Sequence, residues 1–357
     1  MCKAQLARMV ERMGLFDRYE TVRLLGRGGT GQVFLARDRL QAGREVALKC
    51  LSTRVDELVR AAFEREFAML TTLRVPGVAA VYDFGVRQAA DGVSEPFFTR
   101  AYVAGRPLEA PSDMEFAASI ALFQRVCAVI GPLHRIGVVH GDIKPSNIIV
   151  DAQGMPWLID FGLARARNYG QARRSDSTDT VAGTPAFMAP ELLDGAASSV
   201  AGDIYALGVT LWWLVTGSYP TSALASSHHG VPRHPPGPLG DATARRAVLA
   251  IAARALASEP ADRFPCLEEL AAALARVCGT SPAPARVFVP PRPLGHSAVL
   301  AQLDAQLSDV GVSSVVIAAA HGGGKSLLLR ELKWRKQLQS HWVIEVHAGQ
   351  TPSVAPL

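Results

Sequence analysis

The stretch VVHGDIKPSNIIVD, Val138 to Asp151, places a carboxylate, an ammonium and an amide close together at Asp142, Lys144 and Asn147. A second carboxylate, Asp160, comes shortly after in LIDFGLA. Taken singly, each aspartate reads as a turn or cap residue. Together these groups supply what transfer of a γ-phosphoryl group needs. One carboxylate takes the proton of an attacking hydroxyl, and a lysine meets the charge on the moving phosphate. An amide and a carboxylate offer hard oxygen ligands for Mg²⁺.

Such chemistry also needs a grip on the phosphates. LLGRGGTGQVFLARD carries G-x-G-x-x-G at Gly26, Gly28 and Gly31, with Val33 two residues on. Glycine lets backbone approach a phosphate closely, but ordinary turns use it as well, so alone the pattern is weak. The residues directly after it read as a strand. That argues against a dinucleotide-binding unit, in which the third glycine opens a helix. VALKCL then puts Lys49 mid-strand between apolar neighbours, and the next segment offers Glu64 and Glu66. A lysine held by a glutamate grips α- and β-phosphates as a point charge.

The elements that must position these groups divide by texture. YETVRLLGRG, GQVFLARD, EVALKCL, VAAVYDFGV and EPFFTRAYV read as strands, and Glu57 to Leu73 has helical spacing of its apolar residues. From Met114 helical segments take over, at Phe116–His134, Val200–Thr216, Ala242–Ala257 and Leu267–Val277. Gly279 to Pro293 is proline-rich and reads as a linker. Beyond it a helix is expected over Ala298–Leu307, a buried strand over Ser313–Ala319 and a further strand at VIEVHA. The division predicts a small β-rich lobe followed by a larger helical one.

Bulk properties set outer limits. At 357 residues the chain is about two domains long. A net charge of +5 is mild, and no lysine or arginine block is dense enough to call for nucleic acid. The five cysteines form no C-x-x-C pair, which suits a reducing cytosol and suggests neither a disulfide framework nor a zinc site. Charges interrupt MCKAQLARMVERMG, so it does not read as a signal peptide. The apolar runs Ile204–Gly217 and Val312–Ala320 fall short of the roughly 20 residues that cross a bilayer. A soluble, cytoplasmic protein without membrane contact is expected.

Set in order, these motifs resemble the signature set of the eukaryotic-type (Hanks-type) serine/threonine protein kinases of bacteria, over roughly Tyr19 to Val277. They are the glycine-rich loop, VALK, HGDIKPSN, DFG at Asp160 to Gly162, GTPAFMAPE at Gly183 to Glu191, DIYALG at Asp203 to Gly208, and EPADRFP with Arg263. The resemblance implies an α+β, bilobal protein-kinase fold, with ATP and Mg²⁺ as cofactors and serine/threonine-bearing proteins as substrates, autophosphorylation among its activities. By residue it implies Asp142 as catalytic base, Lys144 on the γ-phosphate, Lys49 paired with Glu66, and Asn147 and Asp160 on the metal. Gly26, Gly28 and Gly31 would cover the phosphates. Leu25, Val33, Ala47 and Ile149 would line the adenine, and Thr184 would meet Asp142. Structural roles fall to Glu191 with Arg263, as a buried ion pair, and to Asp203, as a brace on the catalytic loop.

Two positions depart from the family pattern. Gly141 stands where the family carries an arginine that binds a phosphate on the activation segment. Activity independent of phosphorylation at Ser175, Ser177, Thr178 or Thr180 is therefore expected. Arg100 stands where a small or apolar residue is usual, so either it snorkels out or the strand register is off by one. A second Asp-Phe-Gly, at Asp83 to Gly85, precedes the catalytic loop and is read as structural.

The expected domains are an N-terminal extension at 1–18, a kinase domain at 19–278 with its lobes meeting at 103/104, a linker at 279–294, and a segment at 295–357. In that last segment AAHGGGKS, Ala319 to Ser326, matches a phosphate-binding P-loop except at its first position. It resembles the start of an AAA/STAND-type NTPase module. With no acidic strand after it, Lys325 and Ser326 would bind phosphate without hydrolysis, and the segment would serve a dimer or regulatory partner. The rival reading is a catalytically weak pseudokinase acting as a nucleotide-sensing scaffold. A small-molecule kinase is disfavoured by GTPAFMAPE, which resembles a peptide-positioning segment.

Overall fold

A computed structural model describes residues 18–28, 31–52, 57–73, 75–88, 94–108, 116–161, 185–220, 242–279, 297–308, 317, 324–339, 341 and 343. Strands β1 (Tyr19–Gly28), β2 (Gly31–Asp38) and β3 (Arg44–Leu51) precede helix α1 (Glu57–Thr72), and β4 (Val81–Gln88) and β5 (Ser94–Ala101) come after it. After β6 (Gly105–Pro107) come α2 (Phe116–Arg135), β7 (Ile148–Asp151) and β8 (Pro156–Leu158). Then come α3 (Pro190–Leu193), α4 (Val200–Thr216), α5 (Ala242–Ala255) and α6 (Leu267–Cys278). Two helices close the described chain, α7 (Ser297–Ser308) and α8 (Lys325–Leu338). The strands expected at Ser313–Ala319 and VIEVHA lie outside the described residues, Ile317 and Val343 apart, as does most of the linker.

By internal contact the chain forms two units. One comprises Met1–Arg74, Ala80–Tyr102 and Val289–Leu357, and the other Val75–Ala79 and Val103–Phe288. The first is built on an antiparallel sheet of order β1-β2-β3-β5-β4. Helix α1 lays Val59, Ala62, Phe63, Glu66, Phe67 and Leu70 inward, a spacing that keeps one stripe of a helix facing the sheet. Phe63 and Phe67 pack with Phe84 of β4 and Phe98 of β5 at ring separations of 4.9–6.2 Å. The described helices of the C-terminal segment belong to this unit, although the sequence sets them apart.

The second unit is helical around a small sheet of order β6-β7-β8. Helix α4, apolar apart from Asp203 and its two threonines, is buried on nearly every side. The Ser199 hydroxyl accepts from the Gly202 N–H at its start, and Gly217 ends it at φ 70°. Gly208 is the contact that lets α5 approach, since a Cβ there would sit 2.8 Å from that of Ala255. Helix α2 is long and apolar enough to cross a membrane by length and composition. It instead buries Ile120, Phe123, Val126, Ile130 and Leu133, the pattern of a core helix.

Candidate active site

The loop expected to carry catalysis organises itself over a few residues. Lys144 Nζ and Asn147 Nδ2 both donate to Asp142 Oδ2 at 2.8 Å, and the Asn147 amide also reaches the Asp142 carbonyl at 2.8 Å. Pro145 and its neighbours form a single 3₁₀ turn, which curls the chain so that positions 142 and 147 meet. From below, Asp203 of α4 accepts from the backbone N–H of His140 at 2.8 Å and of Gly141 at 2.9 Å. His134 Nε2, which the sequence did not single out, lies 2.9 Å from the same carboxylate. Gly141 sits at φ 75°, a left-handed backbone that glycine takes without strain.

Asp160 is placed beside this loop through the backbone, because the Ile159 N–H donates to the Asn147 carbonyl at 3.0 Å. Its φ of 56° is unusual for a side-chain-bearing residue, and such strain is held only where the surroundings over-determine it. The next residue, Phe161, stacks on the His140 ring at 4.5 Å. Burial drives the His140 pKa below its ordinary 6.5, although Asp203, Asp142 and Asp160 all pull it upward. Three carboxylates thus converge around a neutral imidazole.

The fit to Mg²⁺ rests on the donors. With its Nδ2 committed to Asp142, Asn147 keeps its Oδ1 as an acceptor, and Asp160 brings a carboxylate, so both offer the oxygen ligands a hard cation takes. Among the described residues no group of three or more His, Cys, Asp or Glu is arranged to hold a metal ion by itself. That suits an ion that commonly takes one or two protein ligands and completes its shell with phosphate and water.

In the other unit, Lys49 Nζ reaches Glu66 Oε1 at 2.8 Å and Oε2 at 3.0 Å. Glu64 faces away and pairs with Arg60 at 3.5 Å. The distinction was available in the apolar stripe of α1, because Glu66 falls in register with Phe63, Phe67 and Leu70, and Glu64 does not. Gly26, Val33, Lys49, Phe98 and Phe84 are successive cross-strand partners and so share one face of the sheet. The three loop glycines differ. A Cβ on Gly31 would stand 2.0 Å from the Cys50 carbonyl oxygen, so strand pairing requires that glycine. On Gly26 and Gly28 a Cβ would meet nothing within 4 Å, so the fold itself does not demand them.

Leu25 and Val33 are half-buried, Ala47 is buried in β3, and Ile149 lies half-buried on β7 of the second unit. Arg100 does not snorkel. It is 4% exposed and stands opposite Ala47 on β3 and Val81 on β4. Arg263 and Glu191 form a two-pronged pair at 2.6 and 2.7 Å, and Arg263 also donates to the carbonyls of Ala257, Ala201 and Ser258. Gly162, Gly183, Thr184 and the hydroxyls Ser175, Ser177, Thr178 and Thr180 lie outside the described residues, as do Ala319 to Gly323. Lys325 and Ser326 open α8 behind Gly324, which has φ 75°.

Comparison with known proteins agrees with this geometry. The protein kinase domain family matches residues 19–233. The DNA damage-responsive serine/threonine-protein kinase RqkA of Deinococcus radiodurans is 38% identical over 211 residues, 58% of this chain and 31% of that protein. The serine/threonine-protein kinase pkn3 of Myxococcus xanthus is 32% identical over 333 residues, 87% of this chain and 59% of that one. The chain thus spans less than two thirds of these relatives. Among solved structures, the apo form of PpkA-294 superposes with a TM-score of 0.57 at 27% identity, covering 73% of this chain and 97% of that one.

Proposed function

The chain belongs to the protein kinase domain family, and on that premise we propose that it transfers the γ-phosphate of Mg-ATP to serine or threonine hydroxyls of proteins, itself included. The observation that carries the reading is Asp142 Oδ2, held by both Lys144 and Asn147 above the Asp203 brace. Asp142 accepts the proton of the attacking hydroxyl, and its position is set before substrate arrives. Lys144, beside it, carries positive charge to the transferred phosphate. Lys49, steered by Glu66, holds the α- and β-phosphates, and Gly26 and Gly28 let backbone close on them. Asn147 and Asp160 are the residues that would hold Mg²⁺, which would supply positive charge to offset that of the phosphates.

Gly141 gives this kinase no arginine for a phosphorylated activation segment, so turnover does not require phosphorylation of Ser175, Ser177, Thr178 or Thr180. The C-terminal AAHGGGKS stretch is read as the start of an AAA/STAND-type phosphate-binding module. A cytoplasmic location, suggested by scattered cysteines without a C-x-x-C pair, is part of this reading.

The test is transfer of labelled γ-phosphate from Mg-ATP to the chain and to a generic basic protein. Wild type, Asp142→Asn and the fourfold alanine variant of the loop hydroxyls are compared. Asp142→Asn is expected to lower transfer by about 10²–10⁴-fold, the usual worth of a positioned base, while the fourfold variant keeps turnover on the added substrate. Nucleotide binding by wild type with no transfer would defeat the proposal.

A further inference from the structure

Strand β4 is an edge of the five-stranded sheet, and an edge strand presents backbone N–H and C=O groups with no ladder partner. Here helix α8 supplies the partners through its side chains. Gln337 Oε1 accepts from the Phe84 N–H at 3.2 Å, and Trp334 Nε1 donates to the Tyr82 carbonyl at 3.2 Å. Between these two contacts lies Asp83, which is 1% exposed. Lys333 Nζ stands 2.8 Å from its Oδ1, and Gln337 Nε2 donates to the same oxygen at 2.9 Å. Gln337 itself is fully buried. Three residues spaced on one side of α8 therefore read a backbone acceptor, a carboxylate and a backbone donor in succession along β4.

The opposite side of α8 is committed elsewhere. Leu328 and Leu332 pack with Leu300 and Leu303 of α7, and Lys336 pairs with Asp304 at 2.9 Å. The α7–α8 pair thus has its own small core, and its contact with β4 is a separate surface. Asp83 is also reached by Tyr19 Oη at 2.8 Å and Arg18 at 3.4 Å, so its charge keeps partners when α8 is away. Burial raises the Asp83 pKa, but Lys333 and Arg18 overcome this and hold it below the ordinary carboxylate value.

The contact leads inward to the ATP-gripping pair. Phe84, whose N–H Gln337 accepts, packs on Phe63 and Phe67 of α1, and these residues flank Glu66. Phe84 also shares a cross-strand row with Phe98 and Lys49. Lys49 Nζ lies 5.8 Å from the Phe63 ring and 5.4 Å from the Phe98 ring.

We propose that the β4 edge, centred on Asp83, is a docking surface for the chain's own C-terminal helix α8. Lys333, Trp334 and Gln337 act there as positioning residues that hold α1, and with it Glu66, against Lys49. The second Asp-Phe-Gly of the sequence is the receptor of this contact. The C-terminal segment is thereby an in-chain partner of the sheet that grips nucleotide. The positioning half rests on the reading of Lys49 as the phosphate ligand.

The experiment uses the full chain and compares wild type with Lys333→Ala/Gln337→Ala, Lys333→Arg and Arg335→Ala. Amide hydrogen exchange over 81–88, 57–72 and 116–161 is measured together with ATP affinity. The double variant is expected to quicken exchange over 81–88 and 57–72 by roughly tenfold or more, the scale of a lost charged hydrogen bond. It weakens ATP binding several-fold and leaves 116–161 unchanged. Lys333→Arg restores wild-type behaviour, and Arg335→Ala, which lies away from β4, never departs from it. Unchanged exchange over 81–88 overturns docking. Faster exchange there, with 57–72 and ATP affinity unmoved, overturns positioning. Protection of 81–88 that tracks protein concentration and ignores the α8 substitutions assigns the edge to a second copy and also overturns the proposal. A wild type that binds no ATP defeats the kinase reading, while exchange over 57–72 still decides whether α8 holds α1.

Discussion

The catalytic loop and the Lys49–Glu66 grip are both ion-paired, but they are assembled differently. In the loop, the bonds on Asp142 come from residues two and five positions away, with one carboxylate, Asp203, fastening the backbone beneath. In the grip, partners 17 residues apart are carried by a strand and a helix, and meet only because Phe63, Phe67, Phe84 and Phe98 pack between those elements. The loop is therefore shaped by its own sequence and one anchor. The grip is only as well placed as the helix that carries Glu66, which makes it the half of the machinery that a neighbouring element such as α8 can influence.

This contrast predicts where damage stays local. Asp203→Ala should do the most harm, leaving the His140 and Gly141 N–H donors without their acceptor at about 1–3 kcal/mol each. Phosphoryl transfer should collapse and the helical lobe should melt earlier. Exchange over 57–72 should hold, and if it quickens as much as the loop does, the two halves are not independent. Next in size is Gly31→Ala. Its Cβ cannot share space with the Cys50 carbonyl, so strand pairing must shift at about 1–3 kcal/mol. Gly28→Ala should leave the melting temperature alone and weaken only ATP binding; equal melting losses would erase the distinction between a packing glycine and a ligand-facing one.

Glu66→Gln sharpens the comparison from the other side. The amide still reaches Lys49 but carries no charge, so the ATP dissociation constant should rise about tenfold, near 1.4 kcal/mol. The pH dependence of the helical lobe's melt should not change with this substitution. The smallest effect concerns His140. Its pKa is depressed in the folded chain, so below pH 6.5 the unfolded chain binds a proton that the buried ring refuses. Stability should decline as pH falls through 6.5, by at most about 1.4 kcal/mol per pH unit. At still lower pH the Glu191 pair with Arg263 adds to the loss, because its depressed carboxylate stabilises only while ionised. A melting temperature flat from pH 7 to 5.5 would sink the assignment of a neutral His140.

Much of the active site could be read as spacing. Asn147 closes the 3₁₀ turn that follows Asp142 and Lys144, so short-range chain geometry brings the three side chains together. Glu66 was separable from Glu64 by the apolar stripe of α1. Arg100 was not foreseeable in the same way, since its burial depends on what packs over that face of β5, which spacing along the chain does not carry. Gly31 looked like its two neighbouring glycines until β3 was laid beside it.

The sequence by itself determined the candidate catalytic set, the two-lobed alternation of strands and helices, and the position of a glycine at 141. These are local patterns, set by periodicity, turn chemistry and short spacing. Only the tertiary structure decided which residues pair with Asp83. Its partners Lys333 and Gln337 lie about 250 positions away. No periodicity links a buried carboxylate on an edge strand to a helix that distant. The pairing arises from where a strand edge and the side of α8 turned away from α7 come to rest, a matter of packing and desolvation that a linear pattern does not carry.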